Sequence, residues 1–292
     1  MSKIMFDGSG GSTKGIGIYN AWKAIIDSGI KPNYISGVSV SCLLSVPFAL
    51  GKFEELDNIL DNFCLKTIFK NPPINEKGKL SFLSILNVIR KKSGLAKMNS
   101  LEKLLRKLVT KQDFENYKTN NKYPTCIGMA VDFVDGSRFF FDCKKINYEQ
   151  YINYTIASCS IPVYSEPVFF EGKTLLDGGV RNHSIAFDLV KDLKVSHVFS
   201  VFSRPELVKL EKFEANGVVS VLNQTLEVMQ NEISKQSENW LKENCKDLKI
   251  NLKIIFLPQV LNSLYDVDRM RLNELKEKSI QETKKIINER EF

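Results

Sequence analysis

Tyr34-Ile35-Ser36-Gly37-Val38-Ser39-Val40-Ser41-Cys42-Leu43-Leu44 is the stretch that decides the fold. Asn33 to Ser36 reads as a short strand. Cys42 to Leu50 reads as an apolar helix closed by Gly51, broken only by Ser45 and by Pro47, which should kink or shorten it. Between them, Gly37-Val38-Ser39 leaves room for nothing but a sharp turn. Such a strand-to-helix turn forces its serine onto strained backbone and lifts the hydroxyl above the sheet, beside a helix N-terminus whose free N–H groups favour negative charge. Taken alone, Gly-x-Ser carries little information; its place between a strand and an apolar helix gives it weight.

The flanking segments repeat the strand–loop–helix rhythm. Lys3 to Phe6 predicts a first strand. Asp7-Gly8-Ser9-Gly10-Gly11-Ser12-Thr13-Lys14-Gly15 follows as a loop of glycine and small hydroxyls. Ile16, Tyr19, Trp22, Ile25 and Ile26 then recur at helical spacing over Ile16 to Ser28, and Gly29 stops the helix. From Lys52 to Asn120 the chain turns helical: Glu54 to Phe69, Leu80 to Ile89, and Ser100 to Thr110 with Ser100 as its cap, punctuated by Asn71-Pro72-Pro73 and Lys77-Gly78. Strands return at Thr125 to Asp132 and Ser137 to Asp142, with a helix at Tyr148 to Ser158 and extended runs at Val168 to Phe170 and Thr174 to Leu176. His197 to Phe202 and Leu252 to Leu257 complete the strands. Helices run from Phe213 to Asn244 and from Val267 to Glu291. Strands alternating with helices, without repeats or low-complexity linkers, predict one α/β domain of three layers.

Bulk properties exclude several classes. No apolar stretch approaches the roughly 20 residues of a bilayer span, and the first residues enter a strand directly, which leaves no room for a signal peptide. A cytoplasmic protein, peripheral at a membrane surface, is expected. Six cysteines (Cys42, Cys64, Cys126, Cys143, Cys159, Cys245) show no metal-ligand spacing and sit in apolar segments, as free core thiols do. The net charge is +7, densest at Arg90-Lys91-Lys92 and onward through Lys97, Lys103, Arg106, Lys107 and Lys111. That run fits an anionic lipid surface, a nucleic acid, or merely a solvated helix face.

A serine hydroxyl needs a base. The chain has two histidines, His183 and His197, and either would complete an ordinary triad. The more economical choice is a dyad with Asp177, since Asp177-Gly178-Gly179 lets the backbone turn sharply and keeps the space beside the carboxylate open, although Asp-Gly is also a common hairpin turn. Gly10-Gly11-Ser12-Thr13-Lys14-Gly15 could direct several N–H groups at an oxyanion. It fails as a Walker loop because Lys14 precedes Gly15, and it fails as a dinucleotide fingerprint because Ser12 stands where the second glycine belongs.

Set in order, these pieces resemble the patatin-like phospholipases. Gly10-Gly11-Ser12-Thr13-Lys14-Gly15 is similar to the family's Gly-Gly-Gly-x-Arg/Lys-Gly, and Gly37-Val38-Ser39-Val40-Ser41 to its Gly-x-Ser-x-Gly. Ala157-Ser158-Cys159-Ser160-Ile161-Pro162 with Glu166-Pro167-Val168 is similar to its Ala-Ser-x-Ala-x-Pro and Pro-Val segment, and Asp177-Gly178-Gly179 to its Asp-Gly-Gly/Ala. Asp266-Val267-Asp268-Arg269-Met270 resembles a frequent bacterial ending. The resemblance implies a three-layer α/β/α patatin-like fold with a central, mainly parallel sheet. It implies one domain over residues 1–292, with 52–120 as a variable helical insertion. It further implies acyl-ester hydrolysis of phospholipids or lysophospholipids by Ser39 and Asp177, an oxyanion hole at Gly10, Gly11 and Ser12, no metal or organic cofactor, and no nucleic-acid partner. Two departures, Ser12 and Ser41 for glycine, keep open a second reading: a catalytically weak or silent lipid-binding protein.

Overall fold

The structure, a computed structural model, describes residues 2–75, 79–208 and 217–288, with the side chains of Val218 and Val219 left aside. In chain order the strands are β1 (Ile4–Gly8), β2 (Tyr34–Val38), β3 (Thr125–Asp132), β4 (Arg138–Asp142), β5 (Val168–Phe170), β6 (Lys173–Asp177), β7 (His197–Phe202) and β8 (Asn251–Phe256). The helices are α1 (Gly15–Asp27), α2 (Val40–Ala49), α3 (Phe53–Asp61), α4 (Leu65–Ile68), α5 (Phe82–Ile89), α6 (Asn99–Leu108), α7 (Lys111–Thr119), α8 (Tyr148–Ser158), α9 (Ala186–Leu189), α10 (Val218–Asp247) and α11 (Arg269–Asn288).

Among the described residues one sheet holds these eight strands, in the order β5-β6-β3-β2-β1-β7-β8, with β4 pairing β3. β3, β2, β1, β7 and β8 run parallel; β4 and β6 run antiparallel to β3, and β5 to β6. Alternation along each strand sends neighbouring side chains to opposite faces. Thus Phe6 and Phe199 enter the core under α1, α2, α8 and α11, while Met5 and Val198 pack with α9 and α10. The sheet is therefore the middle of three layers.

Register explains how two residues 138 positions apart meet. β2 pairs β3 as far as Val38↔Met129. β6 pairs β3 from Ala130↔Asp177. The residue after Val38 is thus brought level with Asp177, and that residue is Ser39.

Several expected elements differ in detail. Glu54 to Phe69 is two helices, because Cys64 is extended and donates its N–H to Thr67 Oγ1 at 3.1 Å, starting α4 afresh. Cys64 is also exposed, unlike the other five thiols. Ser100 does not cap α6; that helix starts at Asn99, after Met98. Helix α7 was not foreseen: its apolar periodicity is weak, and Thr110 starts it by exchanging hydrogen bonds with Asp113. Pro47 lies inside α2, which ends two residues beyond it. The Lys77-Gly78 break, the start of the helix expected from Phe213 and the end of the helix expected at Glu291 lie outside the described residues.

Beneath the site, Asp7 is fully buried on β1 and accepts hydroxyl bonds from Ser36, Ser184 and Ser200, each at 2.7 Å. Burial pushes its carboxyl above the usual range, against the pull of those hydroxyls. The three serines come from β2, from the segment after Asp177 and from β7, so this one side chain ties three strands' worth of chain together. Asp7→Ala, which strands three buried hydroxyls, should cost about 3 kcal/mol or more, read as a lowered urea midpoint at unchanged m-value.

Candidate active site

Ser39 sits at the tip of β2 with φ 57 and ψ −125, a conformation that costs a non-glycine residue of order 1–3 kcal/mol. The turn closes only because two glycines make way. A Cβ on Gly37 would come within 2.7 Å of the Ser41 carbonyl carbon, and one on Gly8 within 2.5 Å of Ser41 Oγ. Ser41, the departure from glycine, fills the space those two leave. It is fully buried and its hydroxyl donates to the Ser9 carbonyl at 2.6 Å, joining the turn to the glycine loop.

Ser39 Oγ donates to Asp177 Oδ2 at 2.7 Å, and the Gly179 N–H donates to Asp177 Oδ1 at 2.7 Å. Both side chains are buried, Ser39 at 5% and Asp177 at 4% exposure. Loss of solvation pushes the Asp177 carboxyl up to about 7, opposed by the hydrogen bonds from Ser39 and Gly179. A carboxylate poised there is basic enough to accept a serine proton near neutral pH.

The segment 158–160 holds both residues. The Ser39 N–H donates to Ser158 Oγ at 2.9 Å, and Ser158 Oγ donates to the Met129 carbonyl at 2.6 Å. The Asp177 N–H donates to the Ser160 carbonyl at 3.0 Å. Ser158 and Ser160 were visible in the sequence only as parts of a motif; their task of aligning serine and aspartate comes from tertiary contact.

Gly10 lies against the serine: a Cβ there would be 3.3 Å from Ser39 Cβ. Gly11 (φ 158) and Ser12 (φ 49) bend the loop around that point, so Ser12 does take the positive φ that glycine would take more readily. Among the described residues, Gly10 and Gly11 donate their N–H groups to no protein carbonyl. Their positions are fixed from behind. Ser9 Oγ accepts from the Ser203 N–H at 2.8 Å, and Ser203 Oγ donates to the Gly10 carbonyl. Ser203 had no signal in the sequence.

Ser39 Oγ gives its hydrogen bond to Asp177 and not to a histidine. His197 opens β7 and pairs Ile4, at the N-terminal ends of the parallel strands, whereas Ser39 follows a C-terminal end. His183 is buried, with Nε2 lacking a partner among the described residues. Burial, then the charges of Lys14 and Arg204, lower its pKa to about 4. It stays neutral at physiological pH and is a poor base there.

Two kinds of space flank Ser39. On one side an apolar slot is lined by Val40, Leu43, Phe63, Phe69, Met98 and Ile161, and a second slot continues from it under Leu101, Leu104, Leu105 and Leu108 of α6. Each holds ≈ 60 Å³, well under the ~300 Å³ of an ordinary small-molecule site. On the far side of Gly11 lies a polar cavity of ≈ 270 Å³ bordered by Lys14, His183, Gln224, Asn231 and Tyr265. Tyr265 borders both the first slot and the cavity. It stands at a turn pinned by Asp266, which accepts from Arg271 Nε at 2.7 Å and from the Asn262 N–H at 2.9 Å. Among the described residues, no group of three or more His, Cys, Asp or Glu is arranged to hold a metal ion.

Residues 9–189 match the family model described as Patatin-like phospholipase. No curated protein matches the chain. Among solved structures, the chain is similar to VipD from Legionella pneumophila, at 13% identity and TM-score 0.47 over 97% of this chain and 67% of that one. It is similar to the type III effector ExoU at 13% identity and TM-score 0.47, over 99% and 54%. It is similar to human GIVD cytosolic phospholipase A2, in complex with methyl gamma-linolenyl fluorophosphonate, at 10% identity and TM-score 0.44, over 98% and 58%. The chain thus spans between about half and two thirds of the length of these proteins.

The buried carboxyl makes two pH effects predictable. If Asp177 must be ionised to act, hydrolysis of a soluble ester should rise about tenfold per pH unit below about 7 and level off above it. Stability should move the other way. The folded-state value lies above the ordinary 3.8 of a solvated aspartate, so ionisation is harder in the fold than in the unfolded chain. Folding stability is then lost as pH climbs from about 3.8 to about 7, and the loss is complete above that window. Asp177→Asn should therefore raise the melting temperature relative to wild type at alkaline pH, with the difference fading in acid.

Proposed function

From the premise that this chain belongs to the patatin-like phospholipase family and is a serine-dependent ester hydrolase acting on lipids, we propose that it is a phospholipase of the A type working with a Ser39–Asp177 dyad. The observation that carries this reading is the 2.7 Å hydrogen bond from Ser39 Oγ to a carboxylate that burial has made basic. Asp177 takes the Ser39 proton as Oγ attacks the ester carbonyl. The oxyanion of the tetrahedral intermediate meets the N–H groups of Gly10, Gly11 and Ser12. Collapse breaks the ester C–O bond, and the proton on Asp177 passes to the departing alcohol. Asp177 then removes a proton from water, which attacks acyl-Ser39; the second collapse returns that proton to Ser39 and releases the fatty acid.

The substrate assignment follows from the two kinds of space. A phospholipid or lysophospholipid has an acyl chain for the leucine-lined slots and a charged, hydrogen-bonding headgroup for the cavity with Lys14 and Asn231. Residues 52–120, whose described elements between Phe53 and Thr119 are the helices α3 to α7, form a variable cap over one domain that spans the chain. Narrow slots mean that the cap must yield for a long chain to enter. No described helix is long and apolar enough to cross a membrane; we place the enzyme in the cytoplasm, meeting lipid from its surface. The alternative of a silent lipid-binding protein rests on Ser12 and Ser41. Ser12 occupies its positive φ and Ser41 its hydrogen bond while Ser39 keeps Asp177, which favours the active enzyme.

A fluorophosphonate probe should label Ser39, and Ser39→Ala should lose both labelling and ester hydrolysis; labelling that survives would put the nucleophile elsewhere. Asp177→Asn should cost about 10²-fold or more in kcat, whereas His183→Gln and His197→Ala should stay near wild type. A folded histidine variant that is inactive, beside an active Asp177→Asn, would replace the dyad with a triad.

A further inference from the structure

Helix α5 is turned inside out. Its inward contacts are polar: Ser84 Oγ donates to the Pro73 carbonyl at 2.9 Å, and Asn87 Nδ2 donates to the Leu95 carbonyl at 2.9 Å. Its outward face is apolar. Phe82 and Ile89 are 73% and 70% exposed, with Leu83, Ile85 and Val88 exposed between them. Ile85, Val88 and Ile89 recur at three- and four-residue spacing, so they share one side of the helix. In water the hydrophobic effect imposes the opposite arrangement, and a contiguous exposed apolar face marks a surface that meets something else.

Charge indicates what that is. From Lys79 to Lys97 the chain carries five basic residues (Lys79, Arg90, Lys91, Lys92, Lys97) and no acidic one. All five are exposed; Lys97 lies 3.5 Å from Glu166. A second copy of the chain is a poor occupant, since a two-fold contact through α5 would bring the two basic clusters together. An anionic lipid layer satisfies both parts, apolar residues against acyl chains and cations against phosphates.

The face is also joined to the site. Leu95, which receives the Asn87 bond, donates its N–H to the Val163 carbonyl at 2.8 Å, and the Ala96 N–H donates to the Tyr164 carbonyl at 3.1 Å. Ile161, two residues before Val163, and Met98, two residues after Ala96, both line the slot at Ser39. The longer basic run through Lys111 expected from the sequence is thereby narrowed: Leu101, Leu105 and Leu108 of α6 are buried, so α6 gives its leucines to the core and α5 alone offers an apolar face.

We propose that α5 and its flanking cations are a docking surface that seats this protein on anionic membranes, with the apolar face entering the boundary between headgroups and acyl chains. Its purpose rests on the lipid-hydrolase reading; its existence does not, so binding is measured in Ser39→Ala protein, which cannot turn lipid over. That protein should cosediment with vesicles of phosphatidylcholine containing one quarter phosphatidylglycerol, bind phosphatidylcholine alone more weakly, and release in salt. Phe82→Ser/Ile89→Ser and Arg90→Glu/Lys92→Glu should each weaken binding about tenfold or more. Lys91 is spared because its φ of 54 makes it a poor site for substitution. In the wild-type background both variants should keep their rate on a soluble short-chain ester. Should either lose that rate through misfolding, Phe82→Trp supplies a conservative probe, whose emission should shift to the blue with the anionic vesicles. Binding unchanged in both variants, no blue shift on bound protein, or no binding at all would overturn the proposal. A dimer by light scattering that Phe82→Ser dissolves, without vesicle binding, would assign the face to a second copy instead. Vesicle binding by a wild type that hydrolyses no ester would sink the proposed function and leave the docking surface standing.

Discussion

The strained backbone at Ser39 is the constraint on which the rest depends. A serine at φ 57 and ψ −125 does not rest there of itself; its surroundings must over-determine it. Ser158 captures its N–H, Gly37 and Gly8 vacate the volume that Ser41 occupies, and β3 supplies the carbonyl that holds Ser158. Gly8, Gly37 and Met129 lie on strands and Ser158 ends helix α8, so regular elements set their positions more closely than a loop can. Asp7 and its three serines repeat this one level down, buried in polar contacts that fasten β1 to the segments on either side.

The same dry environment that demands such bracing also suits the dyad chemistry we propose. In water a carboxylate near its ordinary value would be too weak a base for a serine hydroxyl. Desolvation lifts Asp177 to about 7, while the Gly179 N–H keeps it oriented and prevents a larger rise. Burial acts on His183 in the opposite sense, lowering it to about 4. One physical effect therefore makes the aspartate more basic and the histidine less so, because loss of solvation penalises charge whichever sign it has. The arrangement costs stability at the site, in line with what active sites commonly sacrifice for function.

Much of this was legible in the sequence, for identifiable reasons. Strands Thr125–Asp132 and His197–Phe202 and helix Tyr148–Ser158 appear where apolar periodicity put them, and Ser39 and Asp177 stand where short-range turn chemistry put them, within a hydrogen bond of each other. What escaped was the supporting contacts that long-range register brings together. Ser203 and Ser160 are ordinary residues until β7 and β6 bring them to the glycine loop and the aspartate. Periodicity also cannot say which face of an amphipathic segment turns inward. α5 and α6 both read as amphipathic helices, yet α6 buries its leucines and α5 turns its apolar face out, because Ser84 and Asn87 find carbonyls at Pro73 and Leu95.

That contrast suggests why the helices between β2 and β3 differ in kind from the sheet. The geometry of the proposed dyad needs groups fixed to tenths of an ångström, so it sits at the ends of two strands of the sheet, β2 and β6. Admission of an acyl chain needs walls that separate, and the slots at Ser39 are walled by α2, α3 and α6 and by side chains such as Phe63 and Met98, which lie off the sheet. Leucine-on-leucine contact is non-directional and is lost without stranding a polar group. An acyl chain that replaces one leucine surface with another leaves the apolar area in the slot covered. In the function we propose, the cap opens around a lipid at modest cost while Ser39 and Asp177, held by directional hydrogen bonds, stay in register.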